Sequence, residues 1–153
     1  MGEEIKAVVF QLGSEIYGVD VRQVQTIERM LPLTRVPRTP AFVKGVINLR
    51  GNVLPVIDLR ERFGLEPAEY TEETRIITVK VEQIEVGLIA DKANDIIDLN
   101  EQQIETPPEV VGGIQAKYLR GVAKLDDGRL LVMLNLEQVL RKDEIVQLEN
   151  IGG

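Results

Sequence analysis

Phe42-Val-Lys-Gly-Val-Ile-Asn-Leu-Arg-Gly-Asn-Val-Leu-Pro-Val-Ile-Asp-Leu59 reads as a β-hairpin: an apolar run, a tight Arg50-Gly51-Asn52 turn and a second apolar run. A second copy lies near the C-terminus, Tyr118-Leu-Arg-Gly-Val-Ala-Lys-Leu-Asp-Asp-Gly-Arg-Leu-Leu-Val-Met-Leu-Asn-Leu136. Gly45, Val46 and Leu49 match Gly121, Val122 and Leu125 at a spacing of 76. Past the turn, Leu54, Asp58 and Leu59 match Leu131, Asn135 and Leu136 at 77. One residue has been added in the turn, where a hairpin tolerates it. One structural unit is therefore used twice.

Outward from this hairpin, the rest of the chain follows the same grammar. Residues 5–21 read as a hairpin turning at Gly13-Ser-Glu15. Val21, Val24 and Ile27 recur at threes, which fits one helical turn leading into a short strand, with Asp20 as its N-cap. Pro32, Pro37 and Pro40 make residues 29–40 an extended connector. Asp58 opens a short helix over 59–63, stopped by Gly64. The polar stretch 66–73 is the expected boundary between halves. The grammar then restarts with a hairpin turning at Glu82-Gln83, and Gly87-Leu88 falls on Gly18-Val19 at a spacing of 69. Ala93 and Ile96 fall on Val24 and Ile27 at the same spacing. Residues 106–113, rich in Pro and Gly, read as a loop, and Asp126-Asp-Gly128 as a turn. Asn135 caps an expected helix over 136–148.

Each half thus supplies about five short strands with Gly- and Pro-rich turns, the pattern of small closed barrels. The expected fold is mostly β, with two five-stranded barrels side by side sharing apolar walls, short connecting helices and a C-terminal helix. The chain, 1–153, is one domain. Its expected subdomains are 14–68 and 74–134, with 1–13 and a helix over 135–150 packing against them.

The chemistry is bounded by what is missing. The 153 residues include no His, no Cys and a single Ser, Ser14, in a turn. Ser-His and Cys-His nucleophile pairs cannot be built, and zinc loses its two commonest ligand types. No metal or cofactor is expected, nor a catalytic residue; Asp126-Asp127 is a turn, not a metal site. A net charge of −7 argues against a phosphate-backbone partner. Only 4% of residues are aromatic, too few for a base-stacking platform. With no signal-peptide run and no long apolar span, a soluble cytoplasmic protein is expected.

Tyr17-Gly-Val-Asp-Val, Val36-Pro-Arg-Thr-Pro-Ala-Phe-Val-Lys-Gly-Val-Ile-Asn-Leu-Arg-Gly and Val56-Ile-Asp-Leu strongly resemble the bacterial chemotaxis coupling protein family, CheW. Val86-Gly-Leu-Ile-Ala-Asp and Tyr118-Leu-Arg-Gly-Val extend the match over nearly the whole chain, in order. The resemblance implies SH3-like barrels and a non-enzymatic scaffold. Such an adaptor joins the cytoplasmic tips of methyl-accepting chemoreceptors to the regulatory domain of the histidine kinase CheA. It is cytoplasmic and recruited to membrane-associated receptor arrays, with no nucleic-acid partner and no insertion into the membrane. A barrel adaptor for another two-component kinase pathway stays open as an alternative, and more remotely a small-ligand-binding β-barrel.

The two hairpin copies separate structural from functional residues. Gly45 and Gly121, alike in both, serve close backbone approach or positive φ, and Gly51 belongs to the turn. Arg50 has Asp126 as its counterpart, so the fold does not require Arg there. It is either a solvated turn charge or a recognition fork, and the resemblance ties it to receptor–kinase coupling. Val24, Ile27, Ala93 and Ile96 are either core or the lining of a receptor groove between the barrels, with Gly87 on its floor. Leu12, Val43, Ile47 and Val53 are either core or an apolar patch meeting the kinase's matching barrel.

Overall fold

Several strands read as near-continuous apolar runs because each sheet has two dry faces. The computed structural model describes residues 3–107, 109–111 and 114–140. In chain order these form strands β1 (Glu4–Leu12), β2 (Glu15–Asp20), β3 (Val24–Arg29), β4 (Val43–Leu49) and β5 (Asn52–Asp58), then the helical turn α1 (Leu59–Arg62). Next come β6 (Arg75–Val81), β7 (Ile84–Ala90), β8 (Lys92–Asn100), β9 (Ile104–Glu105), β10 (Val110–Val111) and β11 (Ile114–Gln115). β12 (Leu119–Lys124), β13 (Leu130–Leu134) and α2 (Leu136–Val139) complete the described chain. Asp20 caps a 3-10 turn at Val21–Gln23 before β3, as expected. Asp58 and Asn135 cap α1 and α2 from equivalent places, each side chain accepting from a backbone N–H three residues on. The second part of the expected C-terminal helix lies outside the described residues. Within the expected loop over 106–113 lies β10, which pairs with β11 just beyond it.

One sheet has the order β8-β1-β2-β13-β12-β9 and the other β3-β6-β7-β5-β4. The hairpins are antiparallel, and each sheet is joined at its middle by a parallel pair, β2 with β13 and β7 with β5. Each sheet therefore takes the opening hairpin of one half and the closing hairpin of the other. This corrects the division into 14–68 and 74–134: both ranges contribute strands to both sheets. The physical reason is the linkers. Asp91 alone separates β7 from β8, and one residue cannot turn an antiparallel hairpin, whose tightest common loop has two. β8 therefore leaves the sheet of β7 and pairs with β1.

The repeat holds at the level of register. Val24 and Ile27 pair with Val79 and Ile77; Ala93 and Ile96 pair with Phe10 and Val8. In both cases three steps on one strand face two on its partner, so the same bulge occurs twice. Gly45 pairs with Val56, and Gly121 with Met133, which are 76 and 77 residues further on respectively.

Closure also occurs twice. The chain continues from β3 to Thr34, which exchanges two 2.9 Å backbone hydrogen bonds with Val46 of β4. The chain continues from β8 through a 3-10 turn at Glu101–Gln103 to β9, which pairs with β12. A bent segment thus serves both edges of its sheet and makes a barrel of it. A Cβ on Gly45 would lie 2.3 Å from the Thr34 carbonyl oxygen, and Gly45 sits at φ +145. A Cβ on Gly121 would lie 2.3 Å from Ile104 Cγ2 and 2.7 Å from the Glu105 oxygen.

Three cores result. Ala7, Val9, Ile16, Leu131 and Met133 fill the six-stranded barrel. Ile47, Leu54, Val56, Ile76 and Ile89 fill the five-stranded one. The alternate residues, among them Val8, Phe10, Tyr17, Ile57, Ile77, Leu88 and Leu134, form a larger layer between the barrels. Gly45→Ala is expected to cost about 3 kcal/mol, from overpacking and backbone strain together. Gly51→Ala, at φ +86 with open space where its Cβ would lie, is expected to cost about 1 kcal/mol. Urea denaturation of both variants checks this; equal losses would remove the closure contact from its central role.

Candidate functional site

β3 and β8 border the shared apolar layer, since each pairs with a strand, β6 or β1, that contributes residues to it. Directly opposed residues on paired strands present their side chains on the same face. Ile27 opposes Ile77, and Ile96 opposes Val8, and both partners belong to the shared layer. Yet Ile27 is 45% exposed and Ile96 59%. Two isoleucines therefore extend the shared core outward at equivalent rims. Val24 is half-buried and packs against that layer; Ala93 is half-buried as well. Gly87 is buried, but it does not form a groove floor. Its missing Cβ points at Ile76 and Val56, inside the five-stranded barrel, with Ile76 Cγ2 only 2.7 Å away.

The turn that carries Arg50 sits beside the same edge. Arg50 and Gly51 both have positive φ, +51 and +86, the backbone of a two-residue hairpin turn whose twist matches its strands. The Asn48 side-chain oxygen accepts from the Gly51 N–H at 3.0 Å. The Arg50 guanidinium lies 3.6 Å from the Glu28 carboxylate on β3, with the Arg50 side chain 69% exposed. One face of its fork stays available to a partner.

The expected kinase patch is corrected in part. Leu12 and Val43 belong to the shared core, and Ile47 is inside the five-stranded barrel. Ile47 is one of the inward residues that fill a barrel this small, while Leu12 and Val43 are buried in the layer between the barrels. Val53 is 48% exposed on β5. Leu130, its equivalent 77 residues on, is 50% exposed on β13. The repeat spacing alone could have found Leu130, since it falls 77 residues after Val53.

Charged groups tie the two barrels together. The Arg62 guanidinium stacks between Phe42 at 4.6 Å and Tyr118 at 5.1 Å, two residues that are equivalent at the spacing of 76. Its Nε–H donates to the Val139 carbonyl at 2.8 Å. The Arg60 Nε–H donates to Asp91 at 2.9 Å, and the Gly13 amide donates to the same carboxylate. Burial pushes the Asp91 carboxyl up, but Arg60 and the Gly13 amide together hold it below the usual carboxylate range. In the equivalent place at the other end the signs are reversed: Arg22 and Glu137 line an open concavity of about 580 Å³. Arg22 is clasped there by Asp20, whose carboxyl the guanidinium holds low. Among the described residues no group of three His, Cys, Asp or Glu is placed to hold a metal ion. No described helix is long and apolar enough to cross a membrane.

Residues 6–144 match the family model of the CheW-like domain. The chain is 43% identical over 138 residues to the chemotaxis protein CheW of Bacillus subtilis, covering 90% of this chain and 88% of that one. It is 36% identical over 152 residues to the chemotaxis protein CheW of Klebsiella aerogenes, covering 99% and 90%. Among solved structures it resembles the scaffolding protein TtCheW from Thermoanaerobacter tengcongensis. The TM-score is 0.84 and the identity 35%, over 94% of this chain and 92% of that one.

An exposed ion pair adds little to stability. Arg50→Ala is therefore expected to shift the thermal midpoint by no more than about 2 °C. A calorimetric drop of about 8 °C or more, at the usual conversion for a chain this long, would make Arg50 a structural residue rather than a recognition residue.

Proposed function

This chain belongs to the CheW-like family, and on that footing we propose that it is a non-enzymatic adaptor coupling methyl-accepting chemoreceptors to the histidine kinase CheA. It works by binding two partners at once, on different faces. With neither His nor Cys in the sequence, it carries no conventional nucleophile pair, and its action is the positioning of others. The receptor face is the rim formed by β3 and β8. There Ile27 and Ile96, with Val24 and Ala93 beneath them, offer the apolar anchors that an amphipathic receptor tip would cover. Arg50, beside that rim, grips a partner carboxylate or carbonyl. The kinase face is centred on Val53, at the exposed side of the five-stranded barrel, and meets the regulatory domain of the kinase.

The observation that carries this reading is the pair of exposed isoleucines at equivalent places in the repeat. A lone exposed apolar residue needs no explanation. Two at matching rims, each continuous with the shared core, form a built feature. Burying the exposed half of each contributes only about 1 kcal/mol, so each face binds moderately. Assembly then depends on several such contacts acting together in receptor arrays at the cytoplasmic side of the membrane.

Titration calorimetry of the full chain against a receptor cytoplasmic-tip fragment, and separately against the CheA regulatory domain, tests the division. Ile27→Glu with Ile96→Glu is expected to weaken receptor binding by at least about tenfold and leave kinase binding unchanged. Val53→Glu is expected to do the reverse. No binding of either partner by the wild-type chain, or identical losses for both partners in every variant, would contradict it.

A further inference from the structure

Between Glu28 and Asp58 the sequence carries five cations, Arg29, Arg35, Arg38, Lys44 and Arg50, and no carboxylate, although the whole chain has a net charge of −7. The fold gathers three of them, Arg35, Arg38 and Lys44, around one concavity of about 740 Å³. Its walls come from the connector between β3 and β4 and include Leu33, Pro37 and Pro40. Lys44 is held in place by Glu61 at 2.8 Å. Arg35 and Arg38 are exposed, and among the described residues neither guanidinium has an ion-pair or hydrogen-bond partner.

The backbone at Arg38 adds a second, independent observation. Arg38 has φ +63 directly after Pro37. Proline followed by a positive φ is the signature of a type II turn, and the second of those positions suits Gly. A long side chain there strains the backbone, and strain retained on a surface loop points to a use for the side chain.

We propose that this concavity binds an extended acidic peptide segment of a protein partner. The two unpaired guanidiniums grip carboxylates through their planar forks, while Leu33 and the prolines take the intervening apolar side chains. A membrane surface fits less well: the site is concave, and its three cations fall short of the four to eight Lys or Arg of a polybasic lipid-binding cluster. A nucleic acid fits poorly as well, because no aromatic residue lines the site to stack a base. The site does not depend on the adaptor reading, since none of the residues on the receptor rim takes part in it.

Fluorescence anisotropy with the full chain tests it. The probe is a fluorescein-labelled peptide of four Glu-Val repeats, with a matching Lys-Val peptide as control. Binding of the Glu-Val peptide is expected, weakening as salt rises from about 20 mM to about 200 mM. Arg35→Gln and Arg38→Gly are each expected to raise its Kd about three- to fivefold, the size of a partly exposed ion pair. Arg38→Gly also relieves the positive φ, so its thermal midpoint is expected to hold or rise, which separates lost binding from lost folding. No binding of the Glu-Val peptide, equal binding of the Lys-Val peptide, or an unchanged Kd in both variants would overturn the proposal. So would sedimentation with phosphatidylglycerol vesicles that depends on Arg35 and Arg38 while the peptide fails to bind.

Discussion

The backbone of Thr34 packs directly on Gly45, at a distance that leaves no room for a Cβ. An open sheet presents unpaired N–H and C=O groups along both edges, which invite pairing with other chains. Here the segment that begins as β3 returns to bond Val46 and so covers the far edge. Gly121 permits the same return of β9 onto β12 in the other barrel. Both closures use a bent segment, a bulge and a glycine. Because the sheets are closed, their inward faces become small cores and their outward apolar faces are left to meet each other.

That meeting builds the rim on which the proposed receptor face rests. The shared layer is larger than either barrel's own interior, and its rim is defined by β3 and β8, which occupy equivalent places in the repeat. Arg62 marks the near-symmetry, with its guanidinium between Phe42 and Tyr118. Departures from symmetry are informative in the opposite sense. One end is sealed by Arg60 and Asp91, while the equivalent end has its charges exchanged and stays open beside Arg22 and Glu137. The turn with Arg50 faces a counterpart with Asp126. A duplicated scaffold holds what the fold needs in both copies and is free to vary what a partner reads.

Much of this was legible in the sequence because it is local. Turns at Gly13, Arg50-Gly51 and Glu82, caps at Asp20, Asp58 and Asn135, and the spacings of 69, 76 and 77 all follow from residue type and order. The exchange of hairpins was not legible by the same route, since parallel pairing of β2 with β13 joins residues more than a hundred positions apart. Its one local trace was the single residue between β7 and β8. Site residues were harder still. Leu12, Val43, Ile47, Ile27 and Val53 are all apolar and all on or beside strands, and which of them faces water is decided by which strand covers which. The equivalence of Gly87 to Gly18 says only that a side chain is excluded, not from which direction, so the sequence does not separate a groove floor from the barrel interior where Gly87 lies.

Expressing residues 1–73 and 74–153 as separate polypeptides, then following amide hydrogen exchange of each alone and of the mixture, addresses the exchanged architecture most directly. Since each barrel draws hairpins from both halves, neither piece alone should show protected strand amides, and protection should appear together in both when they are mixed. Either piece folding by itself with protected amides and a cooperative melt would contradict the account.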